Sequence, residues 1–300
     1  MAREQGAACA RQPLVPVEYA DTAHCRAGLQ QLAADGHVGF VAHHDGRCVG
    51  VMCGRVVGAA GFVPAHGLAI DADRVDPTAV VVALLAVLAP VLLGDGATRF
   101  TVDHIDHPVL QEALHDAGFG RGSVFATQPA RAMAVSTDVD VRVGTADDLD
   151  AVATLSQIEL EHRTTPPIYG APTTRTWAQA RAEHEQLLQD GAVHFLARRG
   201  GHDVALVTVE LTSPAPRLCP TRQPYIGPTA TDPTSRGHGI GTALVHAVLS
   251  WAHSSGYRSV SVDFDSANPL SRPFWLGAEF QPVGYRTRRA LDPSYSGRSG

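Results

Sequence analysis

Arg236-Gly237-His238-Gly239-Ile240-Gly241-Thr242 is the segment of this chain whose residue types and spacing can do chemistry. Glycines at alternate positions let successive backbone N–H groups turn toward one anion without Cβ obstruction. The β-prone run Tyr225 to Thr231 precedes the segment. A run from Ile240 to Ser255 follows it, with apolar Ile240, Leu244, Ala247, Val248 and Trp251 at helical spacing. A helix opening on such a loop adds the partial positive charge of its N-terminus, so a pyrophosphate is the guest that suits it. Arg236 can add a charge-assisted contact and Thr242 a hydroxyl, while His238 reads as a phosphate neighbour or a solvated side chain.

Composition argues against other chemistries. The chain has no lysine, so all 24 basic residues are arginine and Schiff-base or lysine general-base catalysis is closed to it. Its 5 cysteines lack CxxC spacing and read as free thiols. The 15 histidines form no HExxH, so no metal site is expected. A net charge of −6 without a basic run argues against a nucleic-acid partner and suits a cationic small molecule better. The apolar stretch Ala79 to Leu93 contains Pro90 and falls short of the roughly 20 residues a bilayer asks for, so it reads as a buried helix and no membrane partner is expected. Met1 to Pro16 has no apolar h-region, which leads to the expectation of a cytoplasmic protein.

The elements that must position the glycine loop occur twice. Val38-Gly39-Phe40-Val41-Ala42 matches Val193-His194-Phe195-Leu196-Ala197, and Thr101-Val102-Asp103 matches Ser261-Val262-Asp263. Pro108 with Phe119 matches Pro269 with Phe280, in the same order and at nearly constant offset. The offset grows between the early and late matches, so the second copy holds a short insertion, which is the glycine loop itself. In the first copy Leu68 to Pro77 stands at that place, without glycines and with Asp71, Asp73 and Asp76 where phosphates would need donors. Domains are expected at 1–135 and 139–292, linked through Ala130 to Asp138. The second reads βααβββαβαβ: strands at Val141–Val143, Val193–Arg198, Val204–Leu211, Tyr225–Thr231, Val260–Phe264 and Gln281–Arg288, with helices between them.

From Val141 to Arg289 the sequence resembles the GCN5-related N-acetyltransferases (GNAT), whose pyrophosphate loop reads Q/R-x-x-G-x-G/A. The short pattern also occurs at Arg3 to Ala8 and Arg55 to Ala60, but only Arg236 stands between a complete strand with Asp232-Pro233 and a long helix. Tyr225 to Pro233 resembles the family's fourth strand, and Asn268, Ser271, Phe274 and Trp275 fall where the family has N-x-x-A-x-x-F-Y. The resemblance implies an α/β fold of two tandem GNAT-like domains, each a mixed, mostly antiparallel twisted sheet flanked by helices, the first of them silent. It implies acetyl-CoA as co-substrate, held by Thr229, Ala230, Thr231, Arg236, Gly237, His238, Gly239, Ile240, Gly241, Thr242, Asn268, Ser271, Phe274 and Trp275.

The implied reaction moves acetyl to a primary amine of a small, cationic molecule, antibiotic-like or metabolic, by direct attack in a ternary complex. Such a reaction needs a deprotonated amine and a stabilised oxyanion. The family's usual glutamate in the fourth strand is replaced by Gly227, and its usual tyrosine acid by Trp275. Candidate replacements are His162, whose ordinary pKa suits a base, Glu161 as a contact for a cationic acceptor, and Asp265, which shares a strand face with Asp263. The competing reading is a non-catalytic acyl-CoA-binding sensor. A monomer built as a pseudo-dimer and a homodimer both fit the sequence.

Overall fold

Short apolar runs broken by glycine turns fold as strands, and the longer periodic runs between them as helices, in a computed structural model that describes residues 1–11, 13–134, 139–172 and 174–292. The chain forms two units that interleave in sequence. Of the described residues, the first comprises those in Met1–Phe125, Ala215–Pro220 and 282–292; the second comprises those in Ala126–Pro214 and Thr221–Gln281. The sequence repeats and the contact units therefore differ, because the last strand and a six-residue loop of the second copy fold with the first. Of the expected linker, residues 135–138 lie outside the described residues.

In chain order the first copy contains α1 (Ala2–Arg11), α2 (Thr22–Ala34), β1 (Val38–His44), β2 (Arg47–Val57), β3 (Ala60–Val63), β4 (Leu68–Ile70), α3 (Pro77–Gly94), β5 (Arg99–Ile105), α4 (Pro108–Asp116) and β6 (Gly120–Pro129). The second contains β7 (Asp140–Val143), α5 (Leu149–Thr164), α6 (Trp177–Gln189), β8 (Val193–Arg199), β9 (His202–Glu210), β10 (Tyr225–Thr231), α7 (Ile240–Ser254), β11 (Ser259–Asp265), α8 (Ser271–Gly277) and β12 (Gln281–Ala290).

In the first unit β1, β2 and β3 pair antiparallel in succession, β3 runs parallel to β5, and β12 closes antiparallel on β5. Its core is Met52, Leu84, Leu88, Leu92, Phe100 and their neighbours. Helix α3 differs from the fully buried helix expected of it. One stripe, Val80, Val81, Leu84, Leu88 and Leu92, is buried, while Val82 and Val87 stay half exposed on the opposite side. By length and composition α3 is apolar enough to cross a membrane, yet its buried stripe belongs to the core of this unit. Its N-terminus is self-satisfied: Asp76 accepts from the Thr78 amide at 3.0 Å, and Pro77 contributes no N–H.

The second unit repeats this plan as β7-β8-β9-β10-β11, antiparallel except for the parallel pair β10–β11. Helix α5 covers one face through Val152 and Leu155 packed on Leu196 and Leu206. Helix α7 covers the other, burying Leu244, Val248 and Leu249 and setting Trp251 edge-on to Phe195 at 5.8 Å. The 3-10 turn Ala146–Asp148 that leads into α5 is fixed by a capping box of Thr145 and Asp148 and by Arg142, which bonds Asp148 at 2.8 and 2.7 Å and Asp203 at 2.9 Å. Those bonds hold the Asp148 carboxyl well below the usual carboxylate range.

Candidate active site

The glycine loop is built from the end of β10 into the first turn of α7. Gly237 has φ +78° and Gly239, the N-cap of α7, φ +74°; a Cβ at either position would meet nothing, so the backbone conformation alone calls for glycine. No side chain caps α7. The amides from Gly237 to Thr242 have no protein acceptor among the described residues; the first helical hydrogen bond is Ala243 N to Gly239 O at 3.0 Å. Such a row of free donors at a helix N-terminus can accept an anion such as a phosphate. Arg236 is hooked by its Nε to the Thr231 carbonyl at 3.1 Å, and the His238 ring lies against the Arg236 carbonyl at 2.9 Å, so both shape the loop from within. Of the two other copies of the short pattern, one lies inside α1 and the other in the β2–β3 turn, and neither opens a helix.

Gly241 permits α8 to approach: a Cβ there would come within 3.2 Å of the Phe274 ring. Between α7 and α8 runs a groove of about 430 Å³, lined among others by Thr242, Val245 and His246 on one side and Phe274 and Gly277 on the other. Trp275, expected in the cofactor groove beside Phe274, is instead buried, edge-on to Phe280 at 5.2 Å. Ile240 and Ala230 are buried as well, so they can offer a ligand only backbone groups.

Strand β10 leaves its parallel neighbour midway. Tyr225 pairs with Ser261 and Ile226 with Val262, and the pairing stops there. Gly227 and Pro228 form an irregularity, after which Thr229, Ala230 and Thr231 pair only with β9. The fork so opened exposes backbone that an extended, amide-bearing ligand can use. The first unit has a corresponding fork, where β3 pairs with β5 but β4 pairs only with β2 among the described residues, and a side chain sits at the break between β3 and β4. Arg217 donates through one guanidinium nitrogen to the carbonyls of Ala65 and Leu68, both at 2.7 Å, and through the others to Gln5 and Glu4, both at 3.0 Å.

Polar groups gather on the α5 side of the fork. Tyr225 donates its hydroxyl to Asp263 at 2.5 Å. Glu159, on α5, is pushed up by burial, opposed by the nearby Arg163 and Arg175 and reinforced by the Asp263 charge. Glu210 stands opposite Tyr225 in register at the end of β9, and burial raises its carboxyl too. His162 reaches Asn268 Oδ1 at 3.3 Å, and that same oxygen accepts from the amides of Leu270 and Ser271 at the start of α8. Asp265 turns back to accept from the Ala267 amide at 2.9 Å, and Glu161 is exposed at the end of α5. The fold thus brings His162 and Asn268 together and leaves Glu161 apart. Sequence reasoning missed Glu159 and Glu210; the signal for Glu210 was the glycine at 227, which a cross-strand neighbour could explain once the register was known.

Residues 156–278 match the profile of the acetyltransferase (GNAT) family. Among solved structures, a GCN5-related N-acetyltransferase from Sphaerobacter thermophilus is similar at 16% identity and TM-score 0.56, over 84% of this chain and 80% of that one. A GCN5-related N-acetyltransferase from Kribbella flavida shares 13% identity with TM-score 0.51, over 90% and 95% of the two chains. A tandem GNAT protein from the clavulanic acid biosynthesis pathway shares 18% identity with TM-score 0.50, over 86% and 83%. At these identities the likeness is one of fold. A search of curated proteins by sequence returns no match.

Proposed function

We propose, from the match of residues 156–278 to the GNAT acetyltransferase family, that the second unit transfers acetyl from acetyl-CoA to a primary amine of a small cationic molecule, by direct attack in a ternary complex. The observation that carries the reading is the row of unpartnered amides from Gly237 to Thr242 on an uncapped helix. In this reading the pyrophosphate sits on those amides, the pantetheine arm lies in the fork after Ile226, and Thr242 and Phe274 border its path. Holding thioester and amine together in one fork supplies much of the rate, since orientation converts a bimolecular encounter into a local one. Asp263, Glu159 and Glu210 on the α5 side favour a cationic acceptor, in keeping with the net charge of −6.

The first unit takes no part in cofactor binding in this reading. Its fork is filled by Arg217, and the helix after it is capped by its own Asp76. Calorimetric titration of the protein with acetyl-CoA is expected to give one site per chain. Incubation with acetyl-CoA and a panel of primary amines, followed by free-thiol release, is expected to find turnover. Tight binding without thiol release for any amine would favour the acyl-CoA sensor instead, and two sites per chain would refute the silence of the first unit.

A further inference from the structure

Gly227 leaves room for a neighbour. A Cβ built on it would lie 2.5 Å from Oε1 of Glu210, so a larger residue there would displace the carboxylate end from the space it occupies. Glu210 arrives there from the adjacent strand: it is the last residue of β9, paired across from Tyr225, and its side chain reaches diagonally to the next residue on the same face of β10. Pairing between β10 and β11 ends one residue earlier, at Ile226. A carboxylate oxygen therefore stands beside the backbone at the mouth of the fork, on the α5 side. It has no hydrogen-bond or ion-pair partner among the described residues, whereas Asp263 is engaged by Tyr225, Asp265 by the Ala267 amide and His162 by Asn268.

We propose that Glu210 is the general base of acetyl transfer, supplied by β9 to the position that Gly227 leaves vacant on β10. The assignment rests on the transfer reading above. Glu210 takes one proton from the acceptor ammonium; the neutral amine then attacks the acetyl carbonyl, forming the C–N bond. The C–S bond breaks with its electron pair remaining on sulfur, and the second proton of the adduct nitrogen passes to the leaving thiolate. Glu210 returns its proton to solvent, so acetyl-CoA and an ammonium become an amide, CoA thiol and one released proton. Burial, the only cause of the upward shift at Glu210, brings the carboxyl closer to neutral pH and makes it a better proton acceptor for this step. Tyr225 stands opposite it on β10, and no neighbouring charge enters that shift.

The test measures kcat/KM against pH for wild type, Glu210→Gln and Glu210→Ala, using acetyl-CoA and whichever amine of the panel the wild type accepts, with acetyl-CoA affinity measured alongside. Glu210→Gln is expected to lose about 100-fold or more in kcat/KM at neutral pH, to keep its acetyl-CoA affinity, and to recover in part at alkaline pH where the amine is already neutral. Glu210→Ala is expected to regain activity on addition of formate, a small carboxylate that can enter the emptied space. A wild type that turns over while Glu210→Gln matches it at every pH overturns the assignment and leaves the transfer reading standing. So does a Glu210→Ala enzyme that is inactive, binds acetyl-CoA normally and ignores formate. A wild type that binds acetyl-CoA but acylates no amine overturns both.

Discussion

Gly239 shows how one backbone angle governs the loop. At φ +74° it is the N-cap of α7, and the space around its missing Cβ is open, so Gly239→Ala introduces no collision. The cost is conformational, about 1–2 kcal/mol for holding an L-residue in the left-handed region. The loop can relieve that cost by rotating its amides away from a common focus. Acetyl-CoA affinity is therefore expected to fall about tenfold in Gly239→Ala, measured by calorimetry, while the unfolding midpoint moves little. Unchanged affinity would mean that the amides of Gly237 to Thr242 do not hold the ligand. The loop was legible in the sequence because glycine at a positive φ leaves a trace in residue type. Glu210 left only an indirect one, the glycine at 227: an acidic residue closing a strand is ordinary until the β9–β10 register sets it against Gly227. Trp275 misled in the opposite way, since its place in a motif suggested a groove and its ring went to the core.

Among the elements, α3 and α7 occupy equivalent places and end their first turns differently. The Asp76 cap engages the Thr78 amide and Pro77 has no N–H, so α3 offers fewer free donors at its start than α7 does. The second device was invisible in the sequence. Arg217 lies in a Pro-rich stretch with no periodicity, and its partners, Glu4, Gln5, Ala65 and Leu68, are distant in sequence. Removing the guanidinium leaves the Ala65 and Leu68 carbonyls without that donor and Glu4 with the Ile70 amide and the N-terminal ammonium as its remaining partners, in a site where Arg217 is 1% exposed. Loss of one partner from a buried ion pair costs about 3–5 kcal/mol, so Arg217→Met is expected to lower the denaturation midpoint clearly, read by urea unfolding. The number of acetyl-CoA sites should stay at one, because α3 remains capped. A variant as stable as the wild type would show that the fork of the first unit does not need its plug.

At the scale of the whole chain, both units bury neutral histidines, and this gives the protein a predictable response to acid. Burial lowers His66 and His104 in the first unit and His184 in the second to about 4. His104 is the clearest: its Nδ1–H donates to the Ile105 carbonyl at 2.9 Å, and its Nε2 has no partner to receive a proton's charge. In the unfolded chain these rings titrate near 6.5, so the unfolded state binds protons first as pH falls. The stability they contribute is complete above about 6.5 and is lost progressively toward 4, where the folded rings also titrate. The full shift at a wholly buried ring such as His104 corresponds to roughly 3 kcal/mol. The Asp148 carboxyl, held low by Arg142, contributes fully above the ordinary carboxylate range and loses that contribution as pH falls through this range and below it, so its loss follows that of the histidines on the acid side. Urea midpoints measured at half-unit steps from pH 7.5 to 4.5 are expected to decline steadily below about 6.5, and a flat profile down to pH 5 would contradict the buried neutral state of these rings. His104→Leu would remove one part of that slope, which ties the decline to this residue and not to the carboxylates.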